Sequence, residues 1–276
     1  MQVEKYFRGK GCVVTGAASG IGFAVTEALL QAGAVVFMAD RDTQTLTSAV
    51  EQLSTYAGRV HSMAVDVTNQ EQVQHMVEEA ASRHGRLDVL FNNAGIGCTM
   101  QISEVTLEHW RRIIDINLWG VIYGIHAALP IMRRQGGGHI VNTASIAGLI
   151  PVPFQALYCA TKYAVVGLSE SLRFELGDES IHVSVVCPAN VATRIFGTPI
   201  LGERTETKPP ADAIPAAEAA KTILAGVADQ EGIIALPESA RSGWRQYWSD
   251  PEAFESELLD MARQRRSAFL SKGSYY

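Results

Sequence analysis

Cysteine is scarce in this chain and never clustered. Its four cysteines, Cys12, Cys98, Cys159 and Cys187, lie far apart and form no C-x-x-C pair, so they offer neither a disulfide framework nor a zinc ribbon. Three sit in or beside apolar segments, as small buried hydrophobes do, and a reducing compartment is expected. Long apolar runs are missing as well. No window approaches the ~20 apolar residues of a membrane span, and the opening M-Q-V-E-K-Y-F-R-G-K lacks the apolar run of a secretory signal. A cytoplasmic protein without a membrane partner is the expectation. Nor is there an excess of base: 23 Lys and Arg against 29 Asp and Glu leave a net charge of −6, which disfavours nucleic acid. The one compact basic cluster, Arg263, Arg265 and Arg266, reads as a solvated helix face. No metal site is expected, because none of the seven histidines joins a ligand cluster.

What is present is the composition of a folded domain, 47% hydrophobic and 19% charged over 276 residues. Short β-branched runs alternate with longer helical stretches. Candidate strands are Cys12–Thr15, Val35–Ala39, Val60–Val65, Val89–Asn92, His139–Thr143, His182–Cys187 and Ile233–Leu236. Helical spacing marks Ile21–Ala32, Gln70–His84, Glu108–Arg134, Tyr158–Leu176 and Ala216–Ala228. Such alternation predicts right-handed β-α-β units and a doubly wound parallel sheet of about seven strands, with helices on both faces. No repeat or linker divides the chain. Residues 1–240 read as one cofactor-binding and catalytic domain, and residues 241–276 as a helical C-terminal extension.

The first strand runs through T-G-A-A-S-G-I-G, Thr15 to Gly22, directly into a helix. Glycines at 16, 20 and 22 let the backbone turn tightly and approach a diphosphate, and the helix N-terminus offers free N–H groups to the anion. The spacing is G-x-x-x-G-x-G rather than G-x-G-x-x-G. The second strand ends at Asp40. A carboxylate there can accept both ribose hydroxyls and repels a 2′-phosphate, which favours NAD over NADP. Ser19, a non-basic residue before Gly20, agrees; the adjacent Arg41 argues the other way. Asp66-Val67 closes the third strand, where the carboxylate either meets an adenine amino group or caps the following helix. The fourth ends in Asn92-Asn93-Ala94-Gly95, small residues under which a cofactor can pass. Asn117 lies inside an apolar helical run and must find buried partners, either backbone or a water that relays protons.

Ser145, Tyr158 and Lys162 complete the set. Tyr158 and Lys162 stand four residues apart on a helical segment and address one small volume. An ammonium nearby favours the phenolate, and a serine hydroxyl can hold a substrate oxygen. These are the parts needed to move a proton on or off an alcohol.

Taken in order, T-G-A-A-S-G-I-G, Asp40, Asp66, N-N-A-G, Asn117, Ser145, Y-C-A-T-K and P-A-N-V-A-T resemble the short-chain dehydrogenase/reductase family, over residues 8 to 240. The resemblance implies a single-domain Rossmann-type fold and a homodimer or homotetramer. It implies Tyr158 as general acid/base, Lys162 as its charge partner and a ligand of the nicotinamide ribose, Ser145 as the substrate-oxygen donor, and Asn117 as holder of a water. Gly16, Gly20, Gly22, Asn93 and the Ile21 backbone would follow the cofactor, with Pro188, Val191 and Thr193 at its nicotinamide end. Ala189 departs from the family's usual glycine. Because alanine resists positive φ, a slightly altered turn is expected.

Substrate contacts are expected from Ile96, Ala147, Ile150, Phe154 and Arg194 beside Ser145 and Tyr158, and the stretch Arg194–Ile214 reads as a mobile lid. The apolar wall points to a largely apolar secondary alcohol or ketone, with Arg194 the only arginine near enough for a carboxylate. Trp244, Tyr247 and Trp248 share a helix face that either packs on its own domain, caps the pocket or reaches a second subunit. Two other functions stay open: an NADPH-dependent ketoreductase that seats the phosphate on Arg41, and a non-catalytic NAD-binding sensor.

Overall fold

The computed structural model describes residues 2–202 and 208–272. Part of the expected lid, residues 203–207, lies outside the described residues. The chain runs α1 (Gln2–Phe7), β1 (Gly11–Thr15), α2 (Gly20–Gln31), β2 (Val35–Asp40), α3 (Thr43–Gln52), β3 (Val60–Ala64), α4 (Gln70–His84) and β4 (Val89–Asn92). It continues with α5 (Leu107–Ile114), α6 (Gly120–Gln135), β5 (Gly138–Thr143), α7 (Ala156–Glu175), β6 (Ile181–Pro188), the short β7 (Val191–Ala192) and β8 (Ile214–Pro215), and α8 (Ala216–Ala228). β9 (Ile233–Leu236), α9 (Glu238–Ser249) and α10 (Pro251–Lys272) follow.

Seven strands form one parallel sheet in the order β3-β2-β1-β4-β5-β6-β9. The expected doubly wound architecture is therefore present. Strands buried on both faces must be apolar at successive positions, and all five residues of β1 are buried. Alternate side chains serve opposite cores: Val13 joins Phe37, Ile140 and the long α5–α6 helix, whereas Cys12 and Val14 join Val36, Phe91 and α8. The chain order reverses between β1 and β4, which opens a crevice at their carboxyl ends, the place where ligands bind in such sheets.

The expected helix Glu108–Arg134 is continuous from Leu107 to Gln135 but contains a wider π turn at Asp115–Trp119, centred on Asn117. By length and composition this helix could cross a membrane; half of its most apolar window is buried within the fold, where it packs on α4 and the sheet. The helices α1 and α3 are short and were not distinguished by spacing. Asp42 caps α3 by accepting from the Thr45 amide, and Asn69 caps α4 by accepting from Gln72. Those caps leave Asp40 and Asp66 to other partners.

Ala189 requires no altered turn. Its φ is not positive, and its N–H donates to the Leu236 carbonyl at 2.8 Å, so the side chain brings no strain. The C-terminal extension folds back over the carboxyl ends of the strands. Trp244 packs on the main core, the Trp248 indole N–H donates to the Leu149 carbonyl at 3.1 Å, and Tyr247 meets Phe254 edge-on. Of the three roles open to the aromatic stripe, packing on its own domain accounts for these contacts.

Candidate active site

A cleft of about 690 Å³ runs along the carboxyl ends of β1, β2, β4 and β5. Its floor at one end is the turn from Gly16 to Gly22. Gly16 (φ 64) and Gly20 (φ 57) both use left-handed backbone. Gly22 is required by closeness instead, since a Cβ there would stand 2.1 Å from the Gly16 carbonyl oxygen. Ser19 precedes α2 in extended conformation, and its side chain makes no cap. The first turn of α2 thus points its N–H groups into the cleft together with Ser19, Gly20 and Ile21.

Asp40 lines the same end. One carboxylate oxygen accepts from the Ala18 amide at 3.1 Å and the other from Asp42 at 3.0 Å, which fixes the group across the glycine turn. Arg41, Asp66 and Val67 also line the cleft. Partial burial opposes ionisation of Asp66, but hydrogen bonds from the Thr68 amide and hydroxyl, with the charges of Arg41 and Arg112, hold its pKa below the ordinary carboxylate value.

The N-N-A-G run divides by strand alternation. Asn92 points into the core and donates to Asn142 at 2.9 Å; Asn142 donates to Ser169 of α7 at 3.0 Å. Asn93 points the other way, donates to the Thr15 carbonyl at 3.0 Å, and lines the cleft with Ala94 and Gly95. Spacing did not single out Thr15, whose hydroxyl accepts from both the Asn93 and Ala94 amides and so locks this loop to β1.

Asn117 finds buried backbone partners. Its carbonyl accepts from the Ile96 amide at 2.9 Å and its NH₂ donates to the Ile96 carbonyl at 2.9 Å, with a longer bond to Thr161 at 3.3 Å. The side chain ties the loop after β4 to backbone, and the π turn presents it there. At Gly95 an added Cβ would meet Asn117 Oδ1 at 3.2 Å and Lys162 Nζ at 3.6 Å, so glycine lets all three converge.

Ser145, Tyr158 and Lys162 line the cleft together. Ser145 begins a tight turn pressed onto α7: at Gly148 a Cβ would lie 2.5 Å from the Lys162 carbonyl oxygen. The Ser145 hydroxyl donates to the Pro188 carbonyl at 3.3 Å and accepts from Ala147. Lys162 is buried, and its ammonium donates to the Thr143 carbonyl at 2.9 Å. Loss of water brings its pKa down to about 8, with only partial opposition from Cys187. The arrangement can hold a hydroxyl or carbonyl oxygen and pass a proton through a phenol.

Pro188, Val191 and Thr193 line the far side, as do Ile96, Ala147, Ile150 and Arg194. Phe154 does not. The chain turns left-handed there (φ 63) and sends the Phe154 carbonyl to the Met100 amide at 2.8 Å, so Val152 and Gln155 take its place on the wall. Sequence spacing also passed over His109, Met261 and Arg265, all of which line the cleft. Among the described residues no three His, Cys, Asp or Glu side chains group as metal ligands.

The family model described as short chain dehydrogenase matches residues 10–200. The chain belongs to the short-chain dehydrogenase family. It is 37% identical over 189 residues to 3beta-hydroxysteroid dehydrogenase 2 of Eggerthella lenta, covering 68% of this chain and 73% of that one. It is likewise 37% identical over 185 residues to the 3-oxoacyl-[acyl-carrier-protein] reductase FabG of Thermotoga maritima, covering 67% and 75%. The crystal structure of a short-chain dehydrogenase/reductase from Burkholderia phymatum in complex with NAD superposes with a TM-score of 0.82 at 31% identity, covering 90% of this chain and 96% of that one. This short-chain dehydrogenase is therefore an oxidoreductase that uses a nicotinamide cofactor. The family match stops at residue 200, and α9 and α10 lie beyond it.

Proposed function

We propose that this short-chain dehydrogenase transfers a hydride between NAD(H) and a largely apolar secondary alcohol or ketone, with Tyr158 as general acid/base. The observation that carries the reading is that Tyr158, Ser145 and Lys162 open into the same cleft as the glycine turn and Asp40. The cleft suits a dinucleotide: a cradle at Gly16–Gly22 that a Cβ would obstruct, a helix N-terminus for the diphosphate, and a carboxylate fixed at the adenosine end. Gly16, Ser19, Gly20, Ile21 and Gly22 would hold the diphosphate side. Asp40 would take the ribose, Asp66 and Val67 the adenine. Asn93, Ala94, Gly95, Pro188, Val191 and Thr193 would flank the nicotinamide half.

When bound, the nicotinamide supplies the hydride acceptor or donor. The protein supplies the proton path and the geometry. In oxidation the Tyr158 oxygen takes the alcohol proton, and the Lys162 ammonium, charged below about pH 8, favours the phenolate that does so. Ser145 turns its hydroxyl from the Pro188 carbonyl to the substrate oxygen. Asn117 acts as a positioning residue, because its bonds to Ile96 hold the loop that faces Lys162.

NAD is favoured because Asp40 is held where a 2′-phosphate would meet a carboxylate. A second reading, an NADPH-dependent ketoreductase, has Arg41 in its favour, since its guanidinium lines the same end. Fluorescence titrations of the protein with NADH and NADPH decide between them. Tighter NADH supports the first reading, equal or tighter NADPH the second, and binding of neither defeats both. A homo-oligomer is also proposed, from the exposed Trp119, Tyr163 and Phe174 on the two long helices; light scattering of the purified protein tests it.

A further inference from the structure

The two ends of the cleft differ in charge. Its only lining carboxylates among the described residues, Asp40 and Asp66, stand at the proposed adenosine end. The substrate side is walled by Met100, Ile150, Val152 and Met261 together with the polar Thr99, His109 and Gln155, and its cations besides Lys162 are Arg194 and Arg265. Arg194 also borders a neighbouring cleft with Gly20, Phe23 and Glu27 beside α2.

Arg265 does not lie on a solvated helix face with its neighbours. Arg263 is exposed and paired with Asp260, and Arg266 is exposed; Arg265 is half-buried. It stands one turn after Met261 on α10, and both side chains enter the cleft wall. Its guanidinium donates to the Pro153 carbonyl at 2.6 Å, which fixes it at the lip of the loop after β5. The charge is felt at Cys159, the neighbour of Tyr158, where burial pushes the thiol pKa up and Arg265 works against it. A guanidinium beside Met100, Ile150, Val152 and Met261 matches a carboxylate by shape as well as charge.

We propose that Arg265 determines substrate specificity by receiving a carboxylate at the end of the substrate remote from the reacting carbon. The enzyme then acts on an apolar alcohol or ketone that carries an acid, and α10 is the element that selects it. This rests on the alcohol–ketone reading of Tyr158, Ser145 and Lys162.

The test uses a graded series of keto acids from short to long, each compared with its own methyl ester and with NADH as the reductant. The wild-type protein should prefer acids to esters by about 10-fold or more in kcat/KM at the best length, mostly through KM. Arg265→Met keeps the apolar stem and should collapse that preference; Arg265→Lys should restore part of it. A wild-type protein that favours the esters throughout, or an Arg265→Met loss equal for acid and ester, overturns the inference. Calorimetric titration of the same pairs against NADH-saturated Tyr158→Phe protein separates the two levels. Ester turnover with no acid preference removes the role of Arg265 and leaves the alcohol–ketone reading standing. Acid binding that depends on Arg265, with no member turned over by the wild type, supports Arg265 as an anion site and defeats that reading. Binding of no acid at any length overturns the inference.

Discussion

Lys162 Nζ stands 5.5 Å from the centroid of the Tyr158 ring, one helical turn along α7. Both side chains reach the cleft, and α7 is tied to β5 behind them, where Ser169 accepts from Asn142 at 3.0 Å. If Tyr158 carries the proton, removing its oxygen alone should stop turnover and leave the cofactor cradle intact. Tyr158→Phe is expected to lower kcat by about 10²–10⁴-fold while the NADH dissociation constant changes less than about threefold. Steady-state kinetics and NADH fluorescence on the same preparation check this. Retained turnover would move the acid/base role elsewhere.

Lys162 makes stability depend on pH in a defined direction. Its pKa is about 8 in the folded protein, against the ordinary lysine value of 10.5. Between those values the unfolded chain holds a proton that the folded one has released, so this residue's contribution to stability rises with pH through the window. At neutral pH the fold carries the cost of a buried ammonium, at most on the order of 3 kcal/mol. Lys162→Met removes it. The variant should therefore gain most on the wild type below pH 8, and that advantage should shrink by pH 10. Urea unfolding at pH 7 and pH 10 measures the difference of differences. A constant offset would show that Lys162 titrates normally.

The parts of this site that the sequence revealed are those set by local geometry. A strand that ends in a glycine turn and enters a helix, or a tyrosine and lysine four apart on α7, needs no knowledge of distant contacts to be placed. Asp40 and Asn93 follow from strand ends and alternation. What stayed hidden depends on tertiary or backbone detail. Phe154 sits among apolar neighbours and looked like a wall residue, but its left-handed φ redirects the loop. The π turn at Asn117 leaves the apolar period almost unchanged and cannot be read from it. Arg265 shares a cluster with two exposed arginines, and only the docking of α10 against Pro153 distinguishes it. The short α1 and α3 carry too few turns for spacing to register.

Cofactor choice should turn on Asp40. Its carboxylate bridges the Ala18 and Asp42 amides, so the negative charge cannot easily swing away from a 2′-phosphate. Asp40→Ser removes the charge and leaves Arg41 lining the same end. The ratio of NADPH to NADH affinity is expected to rise by about 10-fold or more, the scale of one charge-assisted contact. Paired fluorescence titrations report it. An unchanged ratio would mean that Asp40 serves the turn rather than the ribose.

A second buried group, far from the cleft, couples stability to acid pH. The Ser184 hydroxyl donates to the Glu231 carbonyl at 2.6 Å and therefore accepts from His139 Nε2–H at 2.9 Å; His139 Nδ1 in turn accepts from the Tyr6 hydroxyl at 2.8 Å. Every proton in this chain is assigned, and the imidazole is neutral. Burial above all, helped by His182 and Lys10, lowers the His139 pKa to about 3. Between pH 6.5 and 3 the unfolded chain binds a proton that the folded one excludes, so stability falls as pH falls through that window, by up to roughly 5 kcal/mol. Ser184→Ala leaves the Nε2–H without its acceptor and is expected to cost about 1–3 kcal/mol at pH 7. His139→Gln should flatten the loss between pH 6.5 and pH 4 whatever its cost at neutrality. Urea unfolding of the three proteins across that range checks both statements, and an acid slope that survives in His139→Gln would assign the loss to the carboxylates instead.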